Sequence, residues 1–395
     1  MTKSVTHISF SSSGGAGTVA HTLTRAQRES GRDAQLAHII DSDLRTTPLR
    51  TPLHTLAAGV DHYVVKASGF AAPISLFRDR LGTDFANRIA TSDVIHLHGY
   101  NGAVRLEDLA RVTEGRRVVW TLHDMNPFTG VCHYSLGCQK FTASCESCPA
   151  VRSVFHSTVR ESLMRKISSV KALSDLRVVA PSTWLANEAS RSVVFRDAQL
   201  TVIPNPVPFV SAGTATGHAR ANSGGDGSTL RACAIAKNLS DPVKNVAATV
   251  RAFHKLRSDV PDARLRLIGQ GGEEFVGPGI ELLGPLDSTE VARELQSADI
   301  LIVSSRAENT PLVIIEAASQ GCLPVVSEVG GMPGMIEDLG AGEVFSDESE
   351  LVRVLARSAE TPASQRSHAR AALEAQAQSL YGVEAVLAQY DTQYD

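Results

Sequence analysis

The sequence has no run of about eighteen apolar residues, so it encodes no helix built to cross a membrane. Its first ten residues, MTKSVTHISF, lack the long apolar stretch of a secretory leader, which gives the cytoplasm as the expected location. Cysteine is scarce: six in 395 residues do not make a disulfide scaffold. Aromatic residues are 5 %, so the interior has to be built mainly from aliphatic side chains. No basic excess exists either. The 38 Lys and Arg stand against 42 Asp and Glu, a net charge of −4, and no nucleic-acid partner is expected.

What is present is length. A chain of 395 residues exceeds one ordinary core and predicts two domains. Apolar residues at 43 % and charged residues at 20 % suit a globular chain. The charge is uneven: residues 1–205 carry 23 basic against 17 acidic groups (+6), and residues 206–395 carry 15 against 25 (−10). Either the domains have unrelated surfaces, or the first half meets something anionic.

Short apolar runs alternate with helical periodicity along the whole chain. Runs at 5–10, 34–40, 93–98, 117–122, 177–180 and 200–203 read as strands in the first half, and those at 231–236, 264–268, 280–283, 299–303 and 323–326 in the second. They are near-continuously apolar, the signature of parallel strands covered on both faces. Helical patterns lie at 16–30, 152–173, 244–257, 288–297, 311–320 and 348–358. The predicted class is α/β, with two doubly wound, Rossmann-like domains facing across a cleft. The expected limits are 1–208 for the first domain, 209–229 for a linker, 230–375 for the second domain and 376–395 for a terminal helix returning to the first. The linker assignment rests on the small, polar, Gly-rich stretch SAGTATGHARANSGGDGST.

Five stretches carry chemistry. After the first strand come Gly14 and Gly15, where the backbone can approach a ligand and a helix begins. A dinucleotide fingerprint would need a third glycine and an acid at the end of strand two; Asp33 precedes that strand, so a dehydrogenase is disfavoured. A plain tight turn remains the other reading. Second is SSRAENTPLVIIEA, residues 304–317. Thr310 is expected as N-cap and Pro311 as first helical residue, leaving the amides of Leu312 and Val313 open to an anion. Glu308 and Asn309 precede the cap, and Glu316 lies two turns on. Two carboxylates beside a phosphate-type site suit a sugar nucleotide; a capped helix with surface acids is the alternative. Third, Lys237 and Lys244 follow the first strand of the second domain as candidate phosphate charges. Fourth, His123 and Asp124 end a first-domain strand.

Fifth, Cys132, Cys138, Cys145 and Cys148 are separated by five, six and two residues. They make a candidate structural metal clip, with two disulfides or free thiols as alternatives. Cys233 and Cys322 sit in apolar strands and read as core.

Taken together these motifs resemble the retaining "family four" (group 1) glycosyltransferases of the GT-B fold. The most specific elements are the E-x7-E pair Glu308–Glu316 and the following EA–G–PVV–GG run through Glu316, Ala317, Gly321, Pro324, Val325, Val326, Gly330 and Gly331. The stretch HDMNPFTGVCHYSLGC at 123–138 resembles a subgroup with a cysteine-rich loop found in capsule and exopolysaccharide clusters. The resemblance implies that Glu308 meets the donor sugar and Glu316 the ribose. Leu312, Val313 and Lys244 would bind the diphosphate, Gly14 and Gly15 would close over the donor, and His123 would stand by the reacting centre. Pro311, where many relatives have Gly, and Lys237, where Arg is frequent, depart from the pattern.

The expected activity is transfer of a sugar from a nucleotide-diphospho-sugar, UDP- or GDP-linked, to a glycan, lipid-linked or small-molecule acceptor. No cofactor is expected for catalysis, and zinc is the candidate structural metal. A sugar phosphorylase or a non-catalytic sugar-nucleotide-binding scaffold are the rivals. Cations at 152, 160, 165, 166 and 171 among apolar residues also predict a basic amphipathic helix able to meet anionic lipid at the inner membrane face.

Overall fold

The computed structural model describes residues 2–11, 14–38, 50–77, 92–100, 106–209 and 230–395. Ser12 and Ser13, the expected strand end at 39–40 and linker residues 210–229 lie outside the described residues. The chain divides into two compact units, residues 1–206 with 383–395, and residues 207–382.

In the first unit the strands are β1 (Val5–Ser9), β2 (Ala34–His38), β3 (Val94–Leu97), β4 (Arg117–Thr121), β5 (Leu176–Ala180) and β6 (Gln199–Val202). They form one parallel sheet in the order β2-β1-β3-β4-β5-β6. β1 and β3 are buried at every position, as strands covered on both faces are, although β1 carries Thr6, His7 and Ser9 and β3 carries His96. The helices are α1 (Gly14–Glu29), α2 (Arg50–Ser68), α3 (Leu106–Val112), α4 (His156–Lys171) and α5 (Thr183–Arg191), joined by α12 (Val383–Tyr394) from the far end of the sequence. α5 starts where Ser182 Oγ accepts from the Leu185 amide.

The second unit repeats the plan with β7 (Arg231–Asn238), β8 (Arg264–Gln270), β9 (Ile280–Gly284), β10 (Ile300–Val303), β11 (Leu323–Ser327) and β12 (Glu343–Phe345). Its parallel order is β12-β11-β10-β7-β8-β9. Helices α6 (Val246–Asp259), α7 (Ser288–Ser297), α8 (Leu312–Ser319), α9 (Met332–Leu339), α10 (Glu348–Glu360) and α11 (Ala363–Tyr381) cover it. One apolar cluster, with Phe253 and Leu265, fills one face of the sheet; another, with Ile315 and Met332, fills the other.

Two sheets of this kind are the α/β architecture expected from the alternating pattern. The terminal helix differs in its limits. Residues 376–395 are not one helix: α11 continues to Tyr381, the chain breaks at Gly382, and α12 starts at Val383. Gly382 pairs with Val207 as an isolated bridge, which pins the break.

Each sheet has one point where the strand order reverses, between β1 and β3 and between β7 and β10. Ligands of open α/β sheets bind outside the strand carboxyl ends at such points.

Candidate active site

In the second unit β10 leaves the reversal point through Ser304 and Ser305. The Ser304 hydroxyl donates to the Asn245 carbonyl at 2.9 Å and accepts from Thr249 Oγ1 at 2.8 Å. Asn245 Nδ2 donates to the Ser304 carbonyl at 3.1 Å, and the Arg306 amide to the Val243 carbonyl at 2.8 Å. Asn245 holds a left-handed backbone (φ 52°), which asparagine tolerates better than other side-chain-bearing residues. These bonds join the β7–α6 turn to the loop after β10, and that junction places Lys244 against Glu308 in a direct ion pair.

Glu308 is buried while the Lys244 side chain keeps about a third of its surface exposed. Ser305 Oγ lies 3.4 Å from the same carboxylate oxygen, Oε1. The Gly330–Gly331 pair holds the loop from behind. Gly330 has φ +61°, and a Cβ built there would sit 1.6 Å from the Glu308 carbonyl oxygen, so glycine is required twice over. Ser327 Oγ adds a 2.6 Å bond to the Ser305 carbonyl.

Lys244, Ser305, Glu308, Pro311 and Val313 line one cleft. The start of α8 differs from expectation: Pro311 is the cap residue (φ −66°, ψ 123°) and Leu312 the first helical one, with Thr310 further out and buried. The proline ψ is extended, so the helix cannot include it. Proline also offers no side-chain acceptor, and the first-turn amides of Leu312 and Val313 have no side-chain cap. The cleft thus holds a buried carboxylate, an ammonium and a positive helix end. Asn309 is buried beside them. Glu316 is half-buried one turn into α8, and burial raises its carboxyl above the usual range. Lys237 does not join the group. It is exposed near the end of β7 and makes no ion pair or hydrogen bond among the described residues.

In the first unit Gly14 and Gly15 open α1 rather than preceding it. Gly14 has φ +78°, and nothing lies within 4 Å of a Cβ at either position, which leaves room over the first turn for a ligand. Across the reversal point lies a line of imidazoles that sequence reasoning missed. Gln27 Oε1 bonds His7 Nε2 at 2.8 Å, His7 Nδ1 bonds His98 Nε2 at 3.0 Å, and His98 Nδ1 bonds His123 Nε2 at 3.1 Å. Burial pushes His7 and His123 down to about 4, and His98 well down, so the rings are neutral. With the Gln27 oxygen facing His7, the assigned protons run one way: each Nε2–H donates toward Gln27, and His123 keeps Nδ1 as its acceptor nitrogen. The available signal was a histidine near the carboxyl end of three adjacent strands, in VTHIS, VIHLHG and WTLHD. Pairing them required the sheet order.

Asp124 turns the other way. Its Oδ2 accepts from His133 Nδ1 at 2.6 Å, and His133 Nε2 lies 2.8 Å from Ser75 Oγ. The His133 bond and charge, with the Asn126 amide, hold the Asp124 carboxyl below its usual range against the opposing effect of burial. The trio has the connectivity of a nucleophile triad, but Ser75 is buried at 1 % exposure, so it serves as a clamp on the loop after β4.

Comparison with known proteins decides the fold family. Residues 13–209 match the model for Glycosyltransferase Family 4, and residues 231–360 the model for Glycosyl transferases group 1. The chain belongs to the GT-B glycosyltransferases. Solved structures similar to it include a sucrose-phosphate synthase from Thermosynechococcus elongatus (TM-score 0.67, 18 % identity, 99 % of this chain and 98 % of that one) and Anabaena HepE in complex with UDP (0.66, 16 %, 98 % of each). A putative colanic acid biosynthesis glycosyl transferase, WcaC of Escherichia coli K12, is 22 % identical over 283 residues, 67 % of this chain and 66 % of that protein. The glycosyltransferase spans between 19 and 66 % of the length of the curated relatives it matches.

Proposed function

We propose that this glycosyltransferase moves a sugar, with retention at the anomeric carbon, from a UDP- or GDP-linked donor to a glycan, lipid-linked or small-molecule acceptor, without a catalytic metal. The observation that carries the reading is the Lys244–Glu308 pair beside the uncapped start of α8 at a strand-order reversal. Support comes also from the likeness to a structure described in complex with UDP.

In this reading the Leu312 and Val313 amides and Lys244 hold the donor diphosphate. As the bond from the anomeric carbon to the β-phosphate oxygen breaks, negative charge grows on that phosphate, and a helix end plus an ammonium stabilises it without reorganising. The acceptor hydroxyl attacks from the face the phosphate leaves, and its proton passes to the departing phosphate oxygen. Glu308 accepts from the donor sugar's hydroxyls and Glu316 from the ribose. Lys244 has two anionic partners to choose between, so an arriving diphosphate draws it from Glu308 and frees that carboxylate for the sugar. In the first unit, His123 offers Nδ1 as a hydrogen-bond acceptor.

Two variants test the division of labour. Glu308→Gln should lower transfer at least about tenfold, the minimum for removing a group that acts at the reacting sugar, with the nucleotide Kd unchanged. Glu316→Ala should weaken free nucleotide binding by about 1–3 kcal/mol, the value of charged hydrogen bonds. Full turnover in the first, or unaltered nucleotide affinity in the second, overturns the assignment concerned.

A further inference from the structure

Between β4 and α4 the chain runs for residues 122–155 with only three short 3-10 turns, yet Phe128, Val131, Phe141 and Ala150 in it are fully or almost fully buried. A segment of that length without its own ladder needs something else to hold it. Cys132, Cys138, Cys145 and Cys148 all line one pocket inside it.

The backbone around the sulfurs is shaped for thiolates. Cys145 and Ser147 take left-handed conformations (φ 53° and 50°) within the C-x-x-C turn, and Leu136 and Gly137 (48° and 86°) do so just before Cys138. Such residues turn consecutive amides toward one point. The Gly130 amide faces Cys145, and the Ala150 and Val151 amides face Cys148. Only glycine fits at 130, where an added Cβ would stand 2.5 Å from Val159 Cγ1 and 3.3 Å from Cys145 Cβ.

Charge gives the second, independent argument. Lys166 on α4 is buried at 1 % exposure, its ammonium donating to the carbonyls of Asn126, Thr129 and Gly130 at 2.7, 2.9 and 3.3 Å. It lies within electrostatic reach of Cys145, and Lys140, bonded to the Ser147 carbonyl at 2.7 Å, within reach of Cys148. A divalent cation bound by four thiolates carries two net negative charges, which these two lysines are close enough to offset, whereas two disulfides carry none.

We propose that these four cysteines form a structural site for one zinc ion, with Lys166 and Lys140 as its counter-charges. The sulfurs share a pocket but are not gathered to ligand spacing. The group that is gathered, His7, His96 and His98 within 4.8 Å, is no rival, because all six ring nitrogens already bond Gln27, Thr121, Tyr394, His123 or each other.

The test is zinc content of the full chain purified without added metal. One zinc per chain is expected, retained on dialysis, with four thiols becoming titratable in step as a mercurial releases it. Cys138→Ser should lose the metal to a chelator far faster than wild type, while Cys233→Ser, in β7, should keep it. Lys166→Met should weaken zinc binding by about 10–100-fold, the usual effect of an outer partner. Should the cysteine variant fail to fold, cadmium-113 NMR of cadmium-substituted wild type reports the ligand set, and a tetrathiolate shift is expected. Near-zero zinc with four freely titrating thiols, a Cys132–Cys148 disulfide by mass spectrometry, or full retention in Cys138→Ser would overturn the proposal.

Discussion

The most constrained position in the candidate site is a glycine that touches no ligand in the proposed reaction. Gly330 combines φ +61° with a backbone oxygen where its Cβ would be. Gly330→Ala should therefore push the Glu308 carbonyl outward and with it the carboxylate. The expected result is a fall in kcat of more than about tenfold, because small misplacements of a reacting group are amplified. Strain of about 1–3 kcal/mol should appear in the unfolding of residues 207–382. Unchanged kcat in a stable Gly330→Ala protein would show that the loop has another resting place. A second residue acts at longer range. Gln27→Leu leaves the His7 Nε2–H without its acceptor, at about 1–3 kcal/mol for an unsatisfied buried donor. It also removes what fixes the direction of the imidazole line, so nitrogen-15 NMR should show His123 divided between tautomers where wild type shows one.

At the scale of elements, α4 shows best where pattern reading stops. The four cations it carries, Arg160, Arg165, Lys166 and Lys171, suggest with Arg152 just before it a basic face, but Lys166 is buried and Arg165 pairs with Glu107 at 3.0 Å. Sequence spacing places a residue on a helix face; it does not say that buried carbonyls from another loop wait on that face. The prediction separates the two lysine-like roles: Lys166→Glu should abolish folding of the 122–151 loop, whereas Arg165→Glu should cost no more than about 1 kcal/mol, as exposed pairs do. Denaturant melts of both variants check this. The strands were legible because their burial needs unbroken apolar runs such as ILIV at 300–303. β12, three residues long, carries too little pattern to be seen. The cap of α8 was misplaced by one residue because proline suits both N1 and the extended residue before a helix. Glu308 and Lys244 were legible as chemistry, yet their direct pairing depends on Asn245, Thr249 and Ser304, which carry no motif.

For the whole molecule, the neutral histidines make the first unit's stability depend on pH. His7 and His123 titrate near 4 when folded and near 6.5 when unfolded. Below about 6.5 the unfolded chain binds more protons, so stability falls as pH drops from there toward 4, by roughly 1.4 kcal/mol per pH unit for each such histidine. Above 6.5 these groups should add no further change. Urea midpoints of the first unit should be flat from pH 8 to 7 and decline below 6; a flat line down to 4.5 would refute the neutral assignment. Helix α12 belongs to the same account. Tyr390 and Tyr394 are fully buried, bonding Thr121 and His96 at 2.9 Å each. A chain ended at Gly382 should lose the first unit to proteolysis and keep a resistant fragment of about 207–382.

That return of α12 has a consequence for how the protein is made. A ribosome synthesises β1 to β6 first, but the helix that covers their histidines emerges only after every residue of the second unit has been translated. The first unit cannot close during synthesis, and its polar interior waits, open to chaperones, while the later-made unit has all its parts and can fold ahead of it. Any chain released early, by a stop codon or a stalled ribosome, carries that opening permanently. Placement of thirteen residues thus makes completion of the first unit wait on translation of residues 383–395.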